Sequence, residues 1–171
     1  MAIMNDFEAF SATHIECLKE SLEITFNFNS DNSLQFSNEN NDSKLWMNEG
    51  IVGIISLVGD LSWSVSLGLP KKSAIILARQ FAGFDINYDS EDMDDVTGEL
   101  INVLAGDIIA KLDAVGTSVN MSLPIVARGN KMGIHVPDRL PKIQLHCILN
   151  GERFAISLTS GKFHQRRKNR S

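Results

Sequence analysis

The amino-acid sequence predicts one α+β domain in which helices pack on a largely antiparallel β-sheet. Helical and strand patterns follow each other as helix, strands, helix, helix, strands, rather than alternating regularly. Two apolar runs meet at Gly59-Asp60 and two more meet at Asn150-Gly151, dipeptides that are typical of tight hairpin turns. With 171 residues, 43% of them hydrophobic, the chain is long enough for one sizeable core.

The individual elements follow the two spacings of apolar residues, near 3.6 in helices and 2 in strands. Period two is clearest over residues 61–69, where apolar side chains alternate with Ser or Gly. Pro70 ends that strand, and Gly83 ends the helix that follows it. In chain order, the sequence predicts a helix over 5–24, a loop over 27–44 with one short edge strand near Leu34–Phe36, strands over 50–59 and 61–69, a helix over 71–81, a linker over 84–90, the longest helix over 91–113, and strands over 117–129, 142–150 and 152–161.

Charge divides the chain into an acidic body and a basic end. Residues 1–161 hold 11 basic and 21 acidic side chains, whereas residues 162–171 hold five basic ones and no acid. An acidic body argues against a surface that binds nucleic acid. We expect residues 1–161 to form the domain and residues 162–171 to be a disordered tail, with contact to an acidic partner as the alternative.

The sequence favours a cytoplasmic protein that neither enters nor crosses a membrane. No basic segment leads into an apolar run at the N-terminus, as it would in a secretory signal. No apolar stretch approaches the ~20 residues that cross a bilayer. Cys17 and Cys147 form neither a C-x-x-C pair nor a Cys/His ligand set, so we expect buried free thiols and no metal site.

The longest predicted helix has one apolar face and one polar face. At 100° per residue, with Asp95 at 0°, Glu99 falls at about 40°, Asn102 at about 340° and Gly106 at about 20°. We call these four residues the outer stripe, because the apolar residues fall between about 80° and 240° and are predicted to face the core. The predicted core-facing residues are Val96, Leu100, Ile101, Val103, Leu104 and Ile108.

Two interpretations of the outer stripe follow from the residues alone. With nine Glu and 14 Asn in the chain, about one E-x-x-N pair is expected by chance, so a solvated polar face is the preferred interpretation. Asn102 and Gly106 weigh against it. Asn is a modest helix former, and Gly costs roughly 1 kcal/mol against Ala, with an evident use in letting another molecule approach. Ile109, at about 320°, would add an apolar contact at the rim.

The outer stripe also matches a family signature. Asp95-x-x-x-Glu99-x-x-Asn102, followed 22 positions later by Pro124, resembles the signature of the CheC/CheX/FliY phosphatases of bacterial chemotaxis. The order of elements over residues 5–160 is similar as well, which implies a single CheC-like domain. CheC-type members carry the motif on two helices. Because Glu99/Asn102 is the one E-x-x-N pair in this sequence, the arrangement is CheX-like.

The resemblance implies an enzyme that removes the aspartyl phosphate of a receiver domain such as CheY, in chemotaxis or another two-component pathway. The receiver would supply the phosphate, a bound Mg²⁺ and a lysine, so no cofactor is expected in this chain. The resemblance implies that Asn102 positions a water for in-line attack and that Glu99 pairs with the receiver's lysine. An amide suits the first role because it both donates and accepts hydrogen bonds without changing charge.

Docking or structural roles are expected for Asp95 and Pro124 of the signature, and for Gly106 and Ile109, which helical geometry rather than the signature places at the outer stripe. Asp95 would cap or orient, since the family also allows Ser at that position. Gly106 and Ile109 would contact the receiver, and Pro124 would end or bend a strand. CheX-like proteins are homodimers, so we expect a homodimer, with the strand over 61–69 or the hairpin over 142–158 as a pairing edge.

Two further functions stay open at this point. The same fold resembles the middle domain of the flagellar switch protein FliM, which binds partners and is not a phosphatase. FliM-like members lack the Glu/Asn pair, so the presence of Glu99 and Asn102 favours the enzyme. A structural domain whose acidic helix is merely solvated would show no interaction with a receiver.

Overall fold

In the computed structural model, which describes residues 10–27, 33–37, 46–137 and 139–161, three helices pack on an antiparallel sheet of seven strands. The predicted α+β class is therefore confirmed. The basic end, residues 162–171, lies outside the described residues. The elements are α1 (Ala12–Phe26), β1 (Gln35–Phe36), β2 (Trp46–Gly59), β3 (Ser62–Pro70), α2 (Lys71–Ala82), α3 (Glu91–Ala114), β4 (Val119–Met121), β5 (Ile125–Gly133), β6 (Lys142–Leu149) and β7 (Glu152–Ser160).

The sheet is built around the hairpin of β2 and β3. Its order is β1-β6-β7-β3-β2, and both β4 and β5 pair with the other side of β2. Ile51 and Leu57 of β2 lie opposite Leu69 and Trp63 of β3, and all four side chains are buried on the face that carries the helices. Because β3 pairs with β2 on one side and β7 on the other, the strand over 61–69 cannot supply a free edge for a dimer.

Helix α1 begins at Ala12, so the prediction is wrong for Phe10 and Ser11, while its first residues, 5–9, lie outside the described residues. Ser11 is the N-cap, and its hydroxyl accepts a hydrogen bond from the His14 backbone N–H at 3.2 Å. Ser11 fits this position because its oxygen satisfies a donor that the first turn leaves free. The helix extends two residues beyond the predicted end, to Phe26, whose ring lies 5.0 Å from that of Phe154.

The predicted helix end at Gly83 and the predicted turn at Asn150-Gly151 are confirmed by their backbone angles. Gly83 follows α2 with a φ of 83°, the left-handed conformation in which helices commonly end. Asn150 and Gly151 join β6 to β7 with φ values of 52° and 78°. Positive φ at both residues is what a two-residue hairpin of the right twist requires.

The strand predicted over 117–129 is in fact two strands, β4 and β5, on the same edge of β2. Met121 lies opposite Leu57, and Ile125 lies opposite Ile54. Between these pairs, two residues of β2 face three residues of the other chain segment, so one residue is inserted and a β-bulge forms. We call this segment, residues 122–124, the bulge. Pro124, which lacks an N–H to donate, lies within the bulge and accounts for the interruption.

Candidate functional site on helix α3

Helix α3 combines a first turn rich in carboxylates with a buried apolar face. Glu91, Asp92 and Asp94 lie in its first turn, where negative charge is favourable to the helix dipole. Gly116, with a φ of 82°, follows its last residues. The side that faces the sheet and α1 is formed by its buried residues Met93, Thr97, Gly98, Leu100, Ile101, Leu104, Ala105, Ile108 and Leu112.

The outer stripe lies on the opposite side of α3, as predicted. Asp95 and Glu99 are exposed, while Asn102 and Gly106 are half-buried. Across the ranges that the structure describes, the side chains of Asp95, Glu99 and Asn102 form no hydrogen bond or ion pair. Glu99 and Asn102 are three residues apart, so they are neighbours on the helix surface. The site thus presents a carboxylate and an amide side by side, with their polar atoms available to another molecule.

Gly106 has no role in packing that the chain itself explains. A Cβ atom built at this position would meet no atom of the described residues within 4 Å, apart from its chain neighbours and the backbone of its own helix. Gly106 is also absent from the glycines with positive φ, so its backbone does not require the freedom of glycine. A glycine within a helix costs roughly 1 kcal/mol against alanine. This cost is consistent with a surface that must stay open for a close approach.

The prediction of the core face is wrong for one residue, because the side chain of Val103 is 41% exposed. The reason is a seam of small residues between α3 and the sheet, formed by Gly53 of β2 and Gly98 of α3. A Cβ on Gly53 of β2 would lie 3.4 Å from Ile101 and 3.5 Å from Thr97, and one on Gly98 would lie 3.6 Å from Val126. The helix therefore contacts the sheet along this seam and leaves Val103, at its edge, facing outward. Ile109, by contrast, is half-buried and packs against the core.

Pro124 lies against the motif helix. A Cβ on Gly98 would lie 3.7 Å from Pro124 Cγ. Gly98 directly precedes Glu99 and lies one helical turn before Asn102. The proline of the predicted signature is thus in contact with the helix that carries the Glu/Asn pair, and it borders the outer stripe on one side.

Arg128 of β5 attaches the start of α3 to the sheet. Its guanidinium donates hydrogen bonds to the backbone carbonyls of Tyr88 and Ser90, the second at 3.2 Å, and lies 3.3 Å from an oxygen of Asp94. We call these four residues the Arg128 clamp. The Tyr88 ring is buried, and burial raises the pKa of its hydroxyl.

A second ion pair supports the clamp. Lys71 Nζ lies 2.9 Å from Glu49 Oε1 and 4.8 Å from the centre of the Tyr88 ring. The hydrogen bond to Glu49 raises the pKa of Lys71. Sequence reasoning missed the clamp because Arg128 lies on β5, between 34 and 40 positions along the chain from its three partners, which lie just before α3 and in its first turn. The one available signal was an arginine directly after the short apolar run over 125–127.

Other kinds of site find no support among the described residues. Cys17 and Cys147 are buried and unbonded, as predicted, and burial raises the pKa of the Cys147 thiol to about 12. A thiol with such a pKa is a poor nucleophile at neutral pH. In the same part of the chain, His, Cys, Asp and Glu side chains form no group of three that could hold a metal ion. None of the described helices is long and apolar enough to cross a membrane.

Comparison with known families identifies the chain. The family described as chemotaxis phosphatase CheX matches residues 51–147, more than half of the sequence. The chain belongs to the CheX family. The matched region runs from β2 to β6 and contains the outer stripe, the bulge and Arg128. No curated protein matches the chain.

Solved structures share the fold at low sequence identity. CheX from Vibrio vulnificus has a TM-score of 0.75 and 19% identity over 87% of this chain and 99% of its own. CheX from Desulfovibrio desulfuricans has a TM-score of 0.73 and 18% identity over 86% of this chain and 98% of its own. A CheX-CheY-BeF₃-Mg²⁺ complex from Borrelia burgdorferi has a TM-score of 0.66 and 16% identity over 88% of this chain and 96% of the matched chain. These matches support the CheC-like α+β fold.

Proposed function

We propose that this protein hydrolyses the aspartyl phosphate of a CheY-type receiver domain. The observation that carries the proposal is the pair of Glu99 and Asn102, which stand side by side on α3 without a partner among the described residues. Membership of a phosphatase family supports a hydrolytic role. The similar CheX fold in a complex with CheY, BeF₃ and Mg²⁺ supports a receiver as the partner.

In the proposed reaction, a water molecule attacks phosphorus in line with the bond to the receiver's aspartate. The new P–O bond forms as the bond to the carboxylate breaks, which releases inorganic phosphate and restores the aspartate. Asn102 orients the water. Its side-chain carbonyl oxygen accepts a hydrogen bond from the water, while its NH₂ group donates a hydrogen bond to a nearby oxygen. The amide needs no change of charge, so its contribution is one of position.

Glu99 is proposed to fix the register of the docked receiver. Glu99 lies one turn before Asn102 on an exposed part of α3. A basic side chain of the receiver can therefore reach Glu99 and Asn102 without rearrangement of the helix. A lysine is the proposed partner, because a carboxylate and an ammonium group form a charge-assisted hydrogen bond. Asp95, one further turn toward the start of α3, would orient the same partner. The Mg²⁺ of the reaction belongs to the receiver.

Gly106 and Ile109 are proposed to complete the contact. The open space above Gly106 allows backbone of the receiver to approach α3 closely. Ile109 is half-buried, so part of its side chain remains available at the rim of the outer stripe. Together they would extend the contact one to two turns beyond Asn102 toward the end of the helix.

We also propose that the protein is a homodimer. The support is two exposed apolar side chains at opposite ends of the β2–β5 pairing, on the sheet face that carries no helix in the described part of the chain. Trp46 of β2 is 71% exposed and Ile125 of β5 is 68% exposed. Apolar side chains of this size on a sheet face are common at contacts between subunits. The mass of the wild-type protein in solution, measured by light scattering, tests this proposal.

The experiment is phosphate release from CheY-type receivers of the same organism after phosphorylation with acetyl phosphate. Addition of the protein should accelerate release. Asn102→Ala should lower kcat by about 100-fold, the size of effect expected when a reacting group is misplaced. Because alanine is the better helix former, this variant should unfold at the same urea concentration as the wild type or a higher one.

Asn130→Ala is the matched control, since Asn130 is an exposed amide on β5 away from the outer stripe. It should leave the rate within about twofold of the wild type, a change that corresponds to less than 0.5 kcal/mol. An Asn102→Ala variant that is as active as the wild type would sink the assigned mechanism. Binding without acceleration would instead indicate a receiver-binding module of the FliM type.

A further inference from the structure

Leu123, at the centre of the bulge, is the most exposed large hydrophobic residue in the described part of the chain. Its side chain is 86% exposed. A single exposed leucine is ordinary on a protein surface, so exposure alone says little. Two further features single out Leu123: its position beside the outer stripe and the hydrogen bonds that hold its backbone.

Leu123 borders the outer stripe. Its neighbour Pro124 contacts α3 at Gly98, with 3.7 Å between Pro124 Cγ and the position of a Gly98 Cβ. Asn102 lies one turn further, about 6 Å along the helix axis. A standard interface buries about 800 Å² on each partner, which is a patch roughly 30 Å across. A molecule centred on Glu99 and Asn102 therefore extends over Leu123.

The bulge holds Leu123 in a defined place. Ser122 donates its backbone N–H to the Ser56 carbonyl at 2.9 Å, and its hydroxyl accepts from the Ser56 N–H at 3.1 Å. The same hydroxyl donates to the Leu123 carbonyl at 2.8 Å. On the other side, the ring of Pro124 fixes its own φ. A side chain presented on such a held backbone loses little freedom when a partner covers it.

Two more exposed apolar residues lie around the outer stripe, one beside the bulge and one on the opposite flank of α3. Met121, at the end of β4, is 45% exposed and lies on the side of the sheet that carries α3. Val103, which follows Asn102, is 41% exposed. Interfaces commonly combine a few apolar anchors with polar groups that fix orientation. Leu123 combines the exposure and the held backbone that such an anchor requires.

We propose that Leu123 is a specificity-determining residue that contacts the receiver domain beside its phosphorylated aspartate. The proposal rests on the proposed function, because it takes the molecule that reaches Glu99 and Asn102 to be the receiver. Leu123 contributes to association and takes no part in the transfer of phosphate. The side chain that it meets on the receiver is apolar, so receivers with a charged side chain there are rejected.

The experiment compares wild type, Leu123→Ala and Ile24→Ala with the receivers used above. Ile24 is 61% exposed on α1 and serves as the matched control for loss of an exposed apolar side chain. Leu123→Ala should raise KM by about tenfold and leave kcat within twofold, the pattern expected when binding is lost equally in the ground and transition states. Ile24→Ala should change neither value. Binding is measured with receivers activated by beryllium fluoride and Mg²⁺, and subunit mass by light scattering.

The outcomes separate this inference from the proposed function. If Asn102→Ala is inactive while Leu123→Ala keeps the wild-type KM and affinity, the function stands and the role of Leu123 is overturned. If the protein neither binds nor accelerates any receiver, both fall. If a receiver binds without acceleration and Leu123→Ala weakens that binding tenfold, the contact stands without hydrolysis. If Leu123→Ala halves the mass of a dimer and leaves KM unchanged, Leu123 contacts a second copy and the proposal is overturned.

Discussion

The start of α3 and its outer stripe use similar side chains in opposite ways. In the Arg128 clamp, Asp94 pairs with Arg128, which also binds the carbonyls of Tyr88 and Ser90. One residue later along the same helix, Asp95 faces outward, and like Glu99 and Asn102 it has no partner among the described residues. The helix is thus fixed by one set of polar groups and offers another set to a different molecule.

This contrast shows how a site can be held in place without consuming its own hydrogen bonds. Groups intended for a partner are most useful when their backbone is immobile and their polar atoms are unpaired before binding. The clamp, the seam of small residues and the buried apolar face hold α3 against the sheet. The outer stripe adds nothing to that attachment. Stability and activity should therefore respond to different residues of one helix.

The largest effect on stability is expected at the clamp. Arg128→Met removes hydrogen bonds to two carbonyls and a carboxylate, which should lower the free energy of unfolding by about 2 kcal/mol in urea titrations. Arg79→Met is the control. The side chains of Arg79 and Asp85 form an ion pair but are 69% and 80% exposed, so this pair should contribute less than about 1 kcal/mol. Equal effects of the two substitutions would show that the clamp does not hold the helix.

A smaller effect, on activity alone, is expected at Glu99. Glu99→Ala should raise KM for the phosphorylated receiver by about tenfold, which corresponds to about 1.4 kcal/mol of binding. The free energy of unfolding should change by no more than about 0.5 kcal/mol, since an exposed side chain without a partner is removed. Glu23→Ala, an exposed carboxylate on α1, should leave KM unchanged. A destabilised Glu99→Ala protein would contradict the separation of the two sets of groups.

The smallest effect, and one of mixed sign, is expected at Gly106. Gly106→Ala should stabilise the fold by up to about 1 kcal/mol, because alanine is the better helix former and the new Cβ meets no side chain of the described residues within 4 Å. The same methyl group should weaken binding of the beryllium fluoride-activated receiver a few fold. Thr13→Ala, at an exposed position in the first turn of α1, should leave affinity unchanged. Unaltered affinity of the Gly106→Ala protein would remove Gly106 from the contact.

Much of the fold was predictable because its signals are local. The alternation over 61–69, Pro70, Gly83 and the Asn150-Gly151 turn each act through a few neighbouring residues, and each was found where predicted. The break between β4 and β5 was not predicted. It depends on a mismatch of one residue between two segments that are some 65 positions apart, and no local pattern reports such a mismatch.

The site was predictable in part for the same reason. Helical geometry placed Asp95, Glu99, Asn102 and Gly106 on one outer face, and the structure has them there. The exposure of Val103 was predicted wrongly. The face of a helix that touches a sheet depends on where the helix and the sheet each have small residues, and helical periodicity does not report this. The assignment of chemistry to Glu99 and Asn102 came from the family signature, since the pair alone is a common spacing.

The one-residue insertion opposite β2 has a consequence for how this protein could diverge. Position 123 is held in place by its neighbours and makes no ladder pairing of its own, so its side chain can change while the pairing of the sheet stays the same. With the proposed contact of Leu123 to the receiver, a duplicated gene would acquire preference for a different receiver through a single codon. A library randomised at that codon alone would sample new partners on an unchanged scaffold.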